Sequence, residues 1–225
     1  DISVAGALRV SCNIYFYELG RRLGIDKITE YASLYGYGQH TGIETGDYAG
    51  AIGNPETFND IGLDWTVGQV LQAAIGQSET SVTPLQMAGV ASTIANRGVR
   101  YKTHLVDSIY DYSMENEIEK IEPEIAETID INYDYVYDYV IDGMVQASEN
   151  NFPADYSLSN LGFDVAIKTG TPQNWRNGDE VTDSCFIGFA PADDPQILGM
   201  VIIHDPQGIY YGGTIAAPVL RDIYD

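Results

Sequence analysis

Two short stretches carry residue types suited to chemistry. Lys168-Thr169-Gly170-Thr171 sets a cation and two hydroxyls around a glycine. On an edge strand, such a set lets a substrate backbone approach where no side chain stands and offers charge-assisted hydrogen bonds to a carboxylate. Ser11-Cys12-Asn13 places a hydroxyl and an amide just before a predicted helix, where a loop can present both to a cleft. Taken singly, each stretch also has an ordinary reading. The first fits a strand end with an exposed lysine and a glycine turn, and the second fits a helix N-cap, a position that Ser and Asn favour.

The remaining reactive residue types form no site of their own. His40, His104 and His204 share no ligand spacing, and a metal is not expected. Cys12 and Cys185 make neither a disulfide framework nor a zinc pattern and sit beside apolar residues, as small core residues do. Gly36-Tyr37-Gly38 lacks the preceding strand and the third glycine of a dinucleotide loop and is expected to stop a helix. Trp65 and Trp175 are expected to pack in the core.

The elements that must position these residues follow from periodicity and punctuation. Thr83-Pro84-Leu85-Gln86 is a capping box with proline at the first helical position. The helix it opens carries Leu85, Ala88, Ala91 and Ala95 on one face, and Gly98 is expected to stop it. Further helices are predicted over 14–23 and 26–35, and over 133–147, where Val136, Val140, Ile141 and Met144 form a stripe and the tyrosines are expected to pack. Segments 163–167, 184–189 and 197–203 are rich in Val, Ile and Phe and read as strands. The last two, joined by Pro191-Ala192-Asp193-Asp194-Pro195, should form an antiparallel hairpin, with a closing helix over 214–224 covering the sheet. The expected fold is α+β, a largely antiparallel sheet flanked by helices and incomplete on its N-terminal side.

Composition excludes some functions. The 225 residues hold 11 Lys plus Arg against 33 Asp plus Glu, a formal net charge of -22, which repels nucleic acid and anionic lipid headgroups. The carboxylates of 107–142 lack the spacing of a calcium loop and read as a solvated surface. No apolar run is long enough to cross a bilayer, so any anchor is expected upstream.

In order and context, the two motifs resemble the penicillin-binding proteins, whose active sites combine Ser-x-x-Lys, a Ser-x-Asn type element and Lys-Thr-Gly. Ile75-Gly76-Gln77, Val82-Thr83-Pro84-Leu85-Gln86-Met87-Ala88 and Ala95-Asn96-Arg97-Gly98 are similar to the family's stretch between the last two motifs. Phe186-Ile187-Gly188-Phe189-Ala190-Pro191, Gly212-Gly213 and Ala216-Ala217-Pro218 extend the resemblance over nearly the whole chain, 1–225, read as the C-terminal part of a transpeptidase domain. Thr41-Gly42-Ile43-Glu44 resembles the class B, monofunctional members, with class A as the near alternative.

The resemblance implies a serine DD-transpeptidase that cross-links peptidoglycan on the extracytoplasmic face of a bacterial membrane. Stem peptides would be its substrates, β-lactams its acylating mimics, and it would use no cofactor. A β-lactam sensor domain or a non-catalytic scaffold of the same fold stays open. In the family's pattern Ser11 would relay a proton, Asn13 hold the substrate backbone and Lys168 supply positive potential. Thr169 and Thr171 would bond the substrate carboxylate, with the Thr171 amide in an oxyanion hole and Gly170 keeping the strand open.

Two departures matter. No serine is followed three positions later by lysine, so the nucleophile's motif is expected upstream and this chain alone is expected to form no acyl-enzyme. Pro172 stands where a small residue is commoner in the family. The missing strands also leave an open sheet edge through which the chain could self-associate.

Overall fold

Small side chains explain how the first helices dock. The computed structural model describes residues 2–133, 135–150, 157–176, 178–206 and 212–225. Helix α1 (Val4–Arg9), too short to announce itself by periodicity, is capped by Ser3 and buries Ala5 and Ala7. Helix α2 (Asn13–Leu34) spans both helices expected over 14–35 and bends at Gly24, which at φ 78° takes a conformation that other residues reach only with strain. It ends at Gly36, whose positive φ, with bonds from the Gly36 and Tyr37 amides to Ser33 and Ala32, makes a Schellman turn. Short helices α3 (Pro55–Asp60) and α4 (Val67–Ala73) follow.

Helix α5 (Pro84–Ala95) begins with the expected capping box, both reciprocal bonds being present. The same Gln86, 2% exposed, gives its amide to the carbonyls of Gly36, Gln39 and Ala49 and so ties the turn after α2 to the helix start. The helix stops at Gly98 as expected, with Gly98 at φ 97° and one more left-handed residue before it. Arg97, at φ 52°, takes the left-handed position, and the Gly98 amide closes the turn on Thr93. Gly98 is required for another reason: a Cβ there would lie 2.5 Å from the Tyr137 hydroxyl.

Strands β1 (Val99–Tyr101), β2 (Ser108–Tyr110), β3 (Glu117–Lys120) and β4 (Ile125–Thr128) form two antiparallel pairs, β1 with β4 and β2 with β3. The β2–β3 hairpin lies within the carboxylate-rich segment, and every residue of β3 is exposed. Helix α6 (Tyr135–Asn150) buries Tyr137, Met144 and Ala147. Its other tyrosines do not pack as expected: Tyr135 and Tyr139 are exposed and meet edge to face.

The last third supplies strands β5 (Ala166–Gly170), β6 (Gln173–Arg176), β7 (Asp179–Thr182), β8 (Ser184–Ala190) and β9 (Ile197–Ile203), then helix α7 (Gly212–Tyr224). All described pairings are antiparallel. The main sheet has the order β5-β8-β9, with the predicted β8–β9 hairpin in register from Ser184↔Ile203 to Ala190↔Ile197. One face, with Ile167 and Phe186, packs under Ala216, Ala217, Leu220 and Tyr224 of α7. The other, with Ala166 and Phe189, meets Met144, Val140 and Ile141 of α6 and Ile94 of α5.

The close seat of α7 depends on the paired glycines Gly188 and Gly199. A Cβ at Gly199 would lie 2.1 Å from Leu220 Cδ1. In that notch the Tyr224 hydroxyl donates to the Gly188 carbonyl at 2.6 Å and accepts from the Gly199 amide at 3.2 Å. Two further expectations fail. Segment 163–165 is not part of the strand, which begins at Ala166 and contains the lysine motif instead of ending before it. Trp175 is 73% exposed on β6, whereas Trp65 packs edge to face on Phe58.

Candidate active site

The site forms where the first helix meets the sheet. Gly143 of α6 lets α1 approach so closely that a Cβ there would stand 2.8 Å from Ala5 Cα. Helix α6 in turn packs on β5, so the order α1, α6, β5 sets the C-terminal end of α1 beside the lysine motif.

That end of α1 is a Schellman turn. The Ser11 amide bonds to Leu8 and the Cys12 amide to Ala7, which holds Ser11 in the left-handed region at φ 49°. Ser11 is therefore no N-cap. Cys12 occupies the N-cap of α2 without a side-chain bond, and Asn13 is the first helical residue, its side chain exposed.

Strand alternation then sorts the lysine motif. Ala166, which packs toward α6, shares its face with Lys168 and Gly170, while Ile167, under α7, shares its face with Thr169. Lys168 thus leaves the sheet toward α1, and its Nζ donates to Ser11 Oγ at 2.7 Å and to the Thr169 carbonyl at 2.7 Å. Burial pushes the ammonium down to about 8, so at neutral pH it is a cation held at a cost.

Gly170 pairs with Cys185, and a Cβ on it would stand 3.4 Å from Cys185 Cβ, ordinary contact. The fold alone therefore does not demand glycine at this point. Strand β5 is an edge of the sheet among the described residues. Thr171 follows, exposed, where the chain turns into β6. The structure brings Ser11 and Lys168 into direct contact and sets Thr169, Gly170 and Thr171 in line beyond them. Asn13 lies two residues past Ser11 on the exposed start of α2.

Sequence reading missed the carboxylate that holds the segment after the lysine motif. Asp183, 4% exposed, accepts from Asn174 Nδ2 at 2.6 Å and from the Asp205 amide at 3.1 Å, and its carboxylate lies 3.2 Å from His204 Nδ1. Its own amide donates to the Pro172 carbonyl at 3.0 Å. The one available signal was an aspartate directly before the apolar run of β8. Cys185, beside it, is a buried free thiol pushed up to about 11 by burial and by the Asp183 charge, and so is a poor nucleophile. The other histidines have local partners: His40 Nδ1 lies 2.9 Å from Asp47, and His104 Nδ1 lies 2.9 Å from the Val106 carbonyl. Glu44 accepts from the Leu105 and Val106 amides and pins the loop that carries it.

The geometry amounts to a hydroxyl bonded to a half-buried lysine beside a glycine-bearing strand edge. The whole sequence, residues 1–225, matches the family described as penicillin binding protein transpeptidase domain, and the chain belongs to that family, among its class B members. It is 33% identical over 223 residues to stage V sporulation protein D of Bacillus subtilis, covering 95% of this chain and 32% of that protein. It is 29% identical over 237 residues to the peptidoglycan D,D-transpeptidase PbpA of Mycolicibacterium smegmatis, covering 98% of this chain and 43% of that one. Among solved structures, Pseudomonas aeruginosa PBP2 in complex with WCK 5153 superposes with a TM-score of 0.83 at 28% identity, covering 100% of this chain and 48% of that one. The chain therefore spans less than half the length of these relatives. Among the described residues, no helix is long and apolar enough to cross a membrane.

Proposed function

We propose that this chain is the C-terminal part of a peptidoglycan D,D-transpeptidase domain, acting on stem peptides outside the cytoplasmic membrane and acylated by β-lactams. The observation that carries this reading is the 2.7 Å bond from Lys168 to Ser11, because it joins residues of two separate motifs across the whole fold.

In this reading a serine from an upstream Ser-x-x-Lys motif attacks the D-alanyl-D-alanine carbonyl. Ser11, held by Lys168, passes the proton toward the leaving amine. The Lys168 cation makes that hydroxyl a better donor and draws the substrate carboxylate, which Thr169 and Thr171 bond. The open edge of β5 takes the substrate backbone as an added strand, with Gly170 leaving room, and the Thr171 amide faces the developing oxyanion. Asn13 holds the donor peptide from the other wall.

The test is labelling with a fluorescent penicillin of this chain and of the protein extended upstream through its Ser-x-x-Lys motif. Labelling of the extended form alone is expected; labelling of neither would favour a scaffold. Among the described residues β9 pairs on one side only, and its free edge is the surface through which the isolated chain associates with a second copy. Light scattering should find dimers, and a strictly monomeric particle would count against that contact.

A further inference from the structure

The strand that presents Thr171 is gripped from beneath at a point that the motif residues do not explain. On one side of Thr171, Gly170 is paired in the sheet with Cys185. On the other, the Pro172 carbonyl accepts from the Asp183 amide, and two residues further Asn174 donates its side-chain amide to the Asp183 carboxylate at 2.6 Å. Thr171 is thus a single residue suspended between two fixed points, both belonging to the short run Asp183 to Cys185. The Asp183 carboxylate also accepts from the Asp205 amide and lies beside the His204 ring, so the same group anchors the end of β9.

A carboxylate this buried loses hydration that only well-made hydrogen bonds replace, and leaving it unpaired is strongly unfavourable. A packed apolar side chain would join these strands at less cost. What the carboxylate adds is direction. It fixes the side chain at 174 while the main-chain amide of the same residue holds the carbonyl at 172, so Asp183 grips the segment after Thr171 at two points and sets the orientation of the peptide between Gly170 and Thr171. Proline at 172 strengthens the arrangement, because its φ is set by its ring and its nitrogen carries no hydrogen to compete for the acceptor.

We infer that Asp183 is a positioning residue for acyl transfer, holding the Thr171 amide in line for the oxyanion through Pro172 and Asn174. The inference rests on the transpeptidase reading. It predicts that loosening the grip harms the transition state more than the initial complex, since an oxyanion donor acts where charge develops.

The experiment measures acylation of the full-length protein by a fluorescent penicillin, separating the first-order acylation constant from the half-saturating concentration, with melting curves alongside. Asp183→Asn should slow acylation about tenfold at unchanged half-saturation, the order expected for a displaced oxyanion donor. The double variant Asp183→Asn with Asn174→Asp exchanges donor and acceptor across the same bond and should recover to within about threefold. Wild-type acylation in Asp183→Asn, a loss confined to half-saturation, or no recovery in the exchange would each overturn the inference. If Asp183→Asn does not fold, Asn174→Ala decides: acylation slower by about threefold or more supports the grip, and an unchanged rate overturns it. A wild-type protein that takes no label would overturn the transpeptidase reading itself, and this inference with it.

Discussion

Lys168 and Ser11 stand 157 positions apart in the chain and are joined by one 2.7 Å hydrogen bond. Neither residue is comfortable in its place. Lys168 keeps its charge in a setting that disfavours it, and Ser11 holds a backbone angle better suited to glycine. Such strain at a site is maintained by the structure around it, and it can be measured.

For Lys168 the sign of the pH effect follows from burial. Its folded value of about 8 lies below the ordinary 10.5, so the cost of the buried cation is full below pH 8 and is relieved as pH rises toward 10.5. The full cost is about 3 kcal/mol. Lys168→Met is therefore expected to unfold at higher denaturant than the wild type at pH 7, and the two curves should converge near pH 10, while penicillin acylation of the full-length protein is lost. A variant less stable than the wild type at every pH would refute this account.

For Ser11 the backbone decides. Ser11→Gly removes the left-handed strain, worth about 1 kcal/mol, but also the Lys168 acceptor, worth about as much, so it should melt near the wild type. Ser11→Ala keeps the strain and also removes the Lys168 acceptor, so it should melt below, by about 1 kcal/mol in stability. Both should acylate poorly. Equal melting of the two variants would show that the turn, not the angle at Ser11, sets the stability.

Gly143 tests whether helix packing places Ser11. An alanine Cβ would stand 2.8 Å from Ala5 Cα and 3.0 Å from both the Ala5 carbonyl oxygen and Leu8 Cβ, none of them a flexible chain end. Gly143→Ala should cost about 1–3 kcal/mol in urea unfolding and should slow acylation as α1 lifts from α6. Loss of stability with unchanged acylation would mean that Ser11 is placed by α2 instead.

Gln86 tests the tie between the turn after α2 and the start of α5. Replacing it by leucine keeps the volume but strips an amide donor from three carbonyls, all of them beyond the end of α2. Gln86→Leu should cost at least about 2 kcal/mol, and hydrogen exchange should rise first in the turn after α2. Uniform exchange across the chain would show that the residue stabilises the fold globally and not that turn.

The contrast between what was and was not legible in the sequence has physical reasons. The capping box at Thr83 and Gln86 was readable because both partners lie within one helical turn, and the β8–β9 hairpin because its apolar runs flank a proline-bounded connection. The two motifs were readable as residue types. That Lys168 reaches Ser11 was not, since the contact depends on Gly143 and on a six-residue helix of small side chains with no periodic stripe. Strands β2 and β3 escaped notice because they bury no apolar face, so the alternation that reveals a strand is absent from them. The helix stop at Gly98 was readable from its residue type, whereas the left-handed angle of Arg97 before it was not, since arginine carries no signal for that conformation.

The 157-residue separation of Lys168 from Ser11 also bears on the order in which this protein comes into being. As the chain emerges from synthesis or crosses a membrane, Ser11 appears early, yet its partner strand arrives only after two thirds of the chain has followed. The bond closes a long loop whose entropy must be offset by α1, α6 and β5 packing together first. The cleft is thus a late product of folding, and a covalent penicillin label would count finished molecules, passing over any chain whose last third has not yet docked.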